Sequence, residues 1–87
     1  MFTDIVPMSA IDELLRIAHR YGEIEGIPLS TVSSRVLNDG KKLRALETGS
    51  DITVGRLEEA LRWFSEHWPA DAPWPADIPR PFFEVRA

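Results

Sequence analysis

Proline divides this chain into two unequal parts. Five of its seven prolines lie after residue 68. Each proline removes a backbone donor and restricts the residue before it, so no helix can run through that spacing. We therefore expect a folded body over residues 1–68 and an extended tail over residues 69–87, packed on the body or on a partner subunit. With 87 residues in all, the chain has room for one small domain.

Composition narrows the classes of protein that are possible. The chain is 44% hydrophobic and 28% charged, an ordinary balance for a folded protein. It has no cysteine, which excludes a disulfide scaffold, a thiolate metal site and a cysteine nucleophile. No apolar run approaches the roughly 20 residues of a membrane span, and the N-terminal stretch is acidic where a signal peptide is basic. We therefore expect a cytoplasmic protein.

Apolar residues recur at helical spacing throughout the body, and every clear period is helical. The pattern predicts four helices over residues 9–25, 30–38, 41–48 and 54–67. The residues expected to face inward are Ile11, Leu14, Leu15, Ala18, Tyr21, Val32, Val36, Leu37, Leu43, Leu46, Leu57, Ala60, Leu61, Phe64 and Trp68. The predicted fold class is an all-α domain of four helices with a C-terminal tail rich in proline and tryptophan.

Local signals mark the ends of these helices. Ser30 and Thr53 are the predicted N-caps of the second and fourth helices. Gly26, Gly40 and Gly49 are the predicted stops of the first three, because glycine accepts the left-handed conformation that ends a helix.

Residue patterns typical of catalysis are missing. The two histidines lie on different helices, without a further ligand at metal-binding spacing. Glu58 and Glu59 are adjacent, so they point about 100° apart on one helix. Ser30, Ser33 and Ser34 lack the surroundings of a nucleophilic serine. We expect neither an enzyme nor a metal or cofactor site.

The stretch over residues 26–33 has the pattern of a helix-turn-helix. Gly26 lets the chain reverse, and Ile27 anchors the turn to the core. Val32 packs the second helix down, while small polar residues at its front could approach base edges without steric conflict.

Residues 30–38 resemble the recognition helix of LacI-type repressors, which reads T-V-S-R-V-L-N, with one extra serine in this chain. A wider stretch, about 10–64, resembles the lambda-repressor-like (Cro/Xre) helix-turn-helix domains, with an L-E-x-G motif at Leu46–Gly49. Two departures stand out, since Arg35 falls where the family has an apolar residue and residues 9–25 form one helix. The resemblance implies a DNA-binding regulator of phage or mobile-element type, acting as a homodimer, with residues 30–38 in the major groove.

The charge pattern points to the same segment. The chain carries a net charge of −4, yet residues 30–46 hold four bases against one acid, so that segment is +3 and the rest is −7. Arg35 could contact a guanine edge and Asn38 an adenine edge. Lysines at the start of the next helix suit phosphate contacts. The predicted DNA-binding residues are Ser30, Thr31, Ser33, Ser34, Arg35, Asn38, Lys41, Lys42 and Arg44.

Aromatic residues gather near the end of the fourth helix and in the tail. Trp63, Trp68 and Trp74 are either core residues beneath the tail or an exposed patch that forms a dimer interface. Phe82 and Phe83 belong to a short apolar run that could pair with its copy in another subunit.

The net negative charge of the chain is compatible with a second function. A helix-turn-helix-like domain that binds another regulatory protein and no DNA, as an anti-activator or antitoxin does, would carry such a charge.

Overall fold

The computed structural model describes residues 8–81 of the chain. Four α-helices form this part: α1 (Met8–Glu25), α2 (Leu29–Leu37), α3 (Lys42–Glu47) and α4 (Val54–His67). No strand occurs among the described residues. The predicted all-α class and the four helices are confirmed, with helix ends displaced by at most one residue.

A tight turn joins α1 to α2. Gly26 has a φ of +70°, the left-handed conformation expected of a glycine stop. The Ile27 amide then donates to the Gly22 carbonyl at 3.0 Å, which closes the turn back onto the helix. A side chain at Gly22 would lie 3.0 Å from the Ile27 carbonyl oxygen and 3.4 Å from Val32. Glycine at position 22 therefore lets the start of α2 approach α1 closely.

The ends of α2 differ from the prediction. The helix begins one residue early, behind Pro28, and Ser30 does not cap it. The Pro28 carbonyl already accepts from the Thr31 and Val32 amides, at 3.0 and 3.1 Å, so the first turn is closed without a side chain. The predicted stop at Gly40 is also wrong. Asn38 ends the helix with a φ of +56°, since asparagine tolerates the left-handed region better than most residues.

The other two helices begin and end close to their predicted limits. Gly49 follows α3 with a φ of +108° and provides the expected stop. The Thr53 side chain accepts a 3.2 Å hydrogen bond from the Arg56 amide, which confirms it as the N-cap of α4.

The core lies where α1 crosses the other three helices. Its fully buried side chains include Leu14, Ile17, Leu43 and Phe64. Ile17 was not predicted, because α1 packs against three helices and so buries a wider stripe than one apolar face. Four predicted inward residues are only partly buried at the edge of this core: Ile11, Leu15, Val36 and Leu61.

Residues 69–81 fold back over the aromatic end of the body. Tyr21 meets the rings of Trp63 and Phe64 edge-on at 5.5 Å, with Trp68 at 6.2 Å. Trp68 meets Trp74 at 4.9 Å, so the cluster continues into the tail. Trp68 is buried and the other two tryptophans are half-buried.

The backbone of this segment turns twice, and so it is not extended throughout. The Ala72 amide donates to Pro69 and the Ile78 amide donates to Pro75, each at 3.2 Å. An indole N–H braces each turn, from Trp68 to the Ala72 carbonyl and from Trp74 to the Ile78 carbonyl. The predicted interface residues Phe82 and Phe83 lie outside the described residues.

Three further contacts attach the tail to the body. Ile78 is buried, with 3% of its surface exposed. Arg16 of α1 forms a two-pronged ion pair with Asp77, at 2.9 and 3.2 Å. The Arg80 guanidinium donates to the Ser65 hydroxyl and carbonyl of α4. None of the described helices combines the length and the apolarity needed to cross a bilayer.

Because Ile78 is buried in the packed tail, we expect Ile78→Ala to lower the free energy of unfolding by about 2–4 kcal/mol. Urea denaturation followed by tryptophan fluorescence measures this loss. Asp71→Ala, an exposed change in the same segment, serves as the control and should cost less than about 0.5 kcal/mol. Equal effects of the two changes would mean that the tail does not pack on the body.

The Arg16–Asp77 pair should be visible in the titration of Asp77. The hydrogen bond from Arg16 lowers the pKa of this carboxyl below its usual range, helped by the backbone of Asp77. The stabilisation is present above the unfolded-state pKa and is lost as the pH falls through the lowered folded-state pKa. Carbon-13 NMR of the carboxyl measures it directly. In Arg16→Gln the Asp77 titration should move upward, and an unchanged titration would show that the pair does not form.

Candidate functional site

One side of α2 presents a polar face to solvent. Ser34, Arg35 and Asn38 are exposed and Thr31 is half-buried, because positions 31, 34, 35 and 38 lie on one side of a helix. Ser30 lies exposed at the edge of this face. The opposite side, with Val32 and Leu37, is buried in the core.

Ser33 does not belong to this face, which corrects its predicted role in DNA contact. It is completely buried on the inward side of α2. Its hydroxyl donates to the Asp39 carbonyl and accepts a 3.0 Å hydrogen bond from the Leu43 amide. That amide is one of the helix N-terminal donors that have no partner within α3. Ser33 therefore joins α2, the following loop and α3.

The loop between α2 and α3 lies close against the polar face. A side chain at Gly40 would come within 3.0 Å of the Ser34 hydroxyl and 3.5 Å of the Ser30 carbonyl. The Asp39 carboxylate accepts from the Lys41 amide at 3.0 Å and so shapes the next turn. The loop therefore leads directly from the polar face of α2 to the lysines at the start of α3.

The two neighbouring lysines have different surroundings. Lys41 is exposed, whereas Lys42 is half-buried and its ammonium donates to the Asp51 carbonyl at 2.6 Å. Lys42, predicted as a phosphate contact, thus also holds the segment before α4 against α3. Its charge is not neutralised, because the acceptor is a carbonyl and not a carboxylate.

Arg56, which the sequence analysis missed, belongs to the same region. It lies exposed in the first turn of α4, and its Nη2 donates to the Leu37 carbonyl at 2.9 Å. A basic residue in the first turn of a helix opposes the helix dipole, so its presence there is a signal of another role. That signal was available in the sequence.

Two groups of arginines and lysines differ in their partners. On α1, Arg16 pairs with Asp77 and Arg20 with Glu23. Within residues 9–81, a second group has no carboxylate within 4.0 Å and lies on α2, α3 and the start of α4: Arg35, Lys41, Lys42, Arg44 and Arg56. We call these five cations, together with the polar side of α2, the cationic face. The tertiary structure thus brings five cations without carboxylate partners to α2, α3 and the first turn of α4. Arg80 in the tail also lacks a carboxylate among residues 9–81 and donates to Ser65 instead.

Two grooves on the surface are lined by residues outside the cationic face. A groove of about 510 Å³ lies between α1 and the end of α3, with Ile11, Leu15 and Leu46 in its lining. A second, about 570 Å³, runs along α1 and is lined by side chains of both charges. His19 meets the Glu47 carboxylate near them. No cluster of three potential metal ligands occurs in the part of the chain that the structure describes.

Comparison of the chain with protein-family models, curated proteins and solved structures returns no match. Its function is therefore inferred from the residues of the cationic face.

Because the Ser33 hydroxyl is the buried link between α2 and α3, we expect Ser33→Ala to destabilise the fold by about 1–3 kcal/mol. The change leaves the Leu43 amide without its acceptor. Thermal or urea denaturation measures the loss, and Ser34→Ala, one residue along but exposed, is the matched control. A Ser33→Ala protein as stable as the Ser34→Ala protein would contradict the role of this hydroxyl.

Proposed function

We propose that this chain is a sequence-specific regulator of transcription that binds double-stranded DNA, of the phage or mobile-element type. The observation that carries the proposal is the cationic face, where five cations without carboxylate partners surround the polar side of one helix. Phosphate groups are the partner that such a set of cations suits, and base edges suit small polar side chains between them.

The arrangement of α1 and α2 supports a helix-turn-helix with α2 as its recognition helix. The chain reverses at Gly26, and Val32 and Leu37 hold α2 in the core while its other side stays open. An α-helix with its side chains is about 10–12 Å in diameter. The polar side of α2 can therefore enter a major groove about 12 Å wide.

Within this proposal the exposed residues take two roles. Arg35 contacts a guanine edge and Asn38 an adenine edge, since these are their usual bidentate pairings. Ser30, Thr31 and Ser34 line the approach of α2 to the bases. Lys41 and Arg44 contact phosphates and set the position of α2 along the groove.

The acidic balance of the chain sets a limit on affinity. A net charge of −4 repels DNA everywhere except at the cationic face, so one copy should bind weakly.

We propose a homodimer, which doubles the phosphate contacts and places two α2 helices about one helical turn of DNA apart. The half-buried Trp63 and the exposed His67 stacked on it at 4.0 Å form the surface of α4 suited to that contact. Sedimentation at assay concentration tests the dimer.

An electrophoretic shift assay with the DNA upstream of its own coding sequence tests the function. Arg35→Ala should relax discrimination at one base pair by about 1–3 kcal/mol. Lys41→Gln and Arg44→Gln should weaken binding to all sequences alike. Each should also make the negative slope of log K against log salt shallower, by about 0.9 for each bound copy and so by about 1.8 for the homodimer.

Arg20→Gln is the control for these substitutions. It removes the same charge from α1, where Arg20 is paired with Glu23, and should leave binding unchanged. If the wild-type protein gives no shift at low salt, or if all variants bind equally, DNA binding is the wrong function. Retention of a partner protein by the unshifted chain would then favour the protein-interaction module.

A further inference from the structure

The Arg56 side chain is hydrogen-bonded to a neighbouring helix and is also exposed to solvent. Its Nη2 is fixed on the Leu37 carbonyl at 2.9 Å, at the last residue of α2. The residue is nevertheless exposed and has no carboxylate within 4.0 Å among residues 9–81. A guanidinium carries five N–H donors, so a bond to one carbonyl leaves further donors for another acceptor.

The hydrogen bond also explains why a cation occurs at this position. The first turn of a helix disfavours positive charge, whereas the last carbonyls of a helix attract it. Arg56 starts α4 but lies at the end of α2, and Leu37 supplies the favourable partner. The guanidinium is therefore held in place before any ligand arrives.

Three helix ends meet at this corner. Lys42, in the first turn of α3, donates to the Asp51 carbonyl at 2.6 Å and ties the segment before α4 to α3. The Asp39 carboxylate, in the loop after α2, accepts from the Lys41 amide. Arg56 and Lys42 are both held by carbonyls, so each link between elements keeps its positive charge.

We propose that Arg56 binds a DNA phosphate at the C-terminal end of α2, and that the Leu37 carbonyl holds it ready for that contact. This inference rests on the function proposed above and adds a residue from α4 to the DNA-binding surface. A fixed guanidinium suits phosphate because it offers parallel N–H donors at little further loss of side-chain entropy. The same contact fixes the position of α2 in the groove relative to the DNA strand whose phosphate Arg56 binds.

The dissociation constant for the upstream DNA, measured at 50, 100 and 200 mM salt for full-length variants, tests this role. Arg56→Gln keeps an N–H donor but loses the charge, and its negative salt slope should be shallower than that of the wild type by about 0.9 for each bound copy, about 1.8 for the homodimer. Its binding defect should therefore shrink about 12-fold between 50 and 200 mM salt. Arg56→Lys keeps the charge and should restore most of the slope.

Arg62→Gln is the matched control, because it removes one arginine from the same helix about 240° around its axis. It should follow the wild-type slope. The melting temperature of each variant shows separately whether losing the hydrogen bond to Leu37 destabilises the fold.

Two results would overturn the inference, and they differ from each other. If Arg56→Gln binds more weakly or melts earlier but keeps the wild-type slope, Arg56 only holds α2 and touches no phosphate. If the wild type itself shows no binding at 50 mM salt, the proposed function fails and this contact fails with it.

Discussion

The position of α2 depends on one buried hydroxyl. Ser33 is the only buried polar or charged residue in the described chain, and it bonds to the loop carbonyl of Asp39 and to the amide of Leu43. A buried polar group is costly unless it is paired, so these two bonds strongly favour one arrangement of α2 and α3. That arrangement places the loop against Ser34, directly before Lys41. A hydrogen-bonded residue of the core therefore helps to position the loop of the proposed DNA surface.

The other end of the body is held by aromatic packing. Tyr21 joins the rings of α4, and Trp68 and Trp74 continue the cluster into residues 69–81. Contacts of this kind combine large buried area with favourable edge-on geometry. Residues 69–81 are thus a part of the folded domain, although they contain no helix. Its ion pair with α1 also takes Arg16 out of the set of cations available to a ligand.

The electrostatics of the chain depend on pairing more than on the total charge. Carboxylates pair with Arg16 and Arg20 on α1. The arginines and lysines of α2, α3 and the first turn of α4 have no such partners among residues 9–81. A chain with a net charge of −4 can therefore present a local positive surface, because fields of exposed charges are screened within about 10 Å. The acidic remainder then limits how DNA could approach.

The sequence by itself determined the four helices, the caps at Gly26 and Thr53, and most of the core, because those features follow from local periodicity and backbone preference. It also showed that residues 30–46 are basic. Only the tertiary structure decided that Ser33 faces inward, that Lys42 is tied to Asp51, and that Arg56 joins the end of α2. Each of these depends on contacts between residues 6 to 19 positions apart. Periodicity describes one helix at a time, and it contains no information on which carbonyl a neighbouring helix will offer.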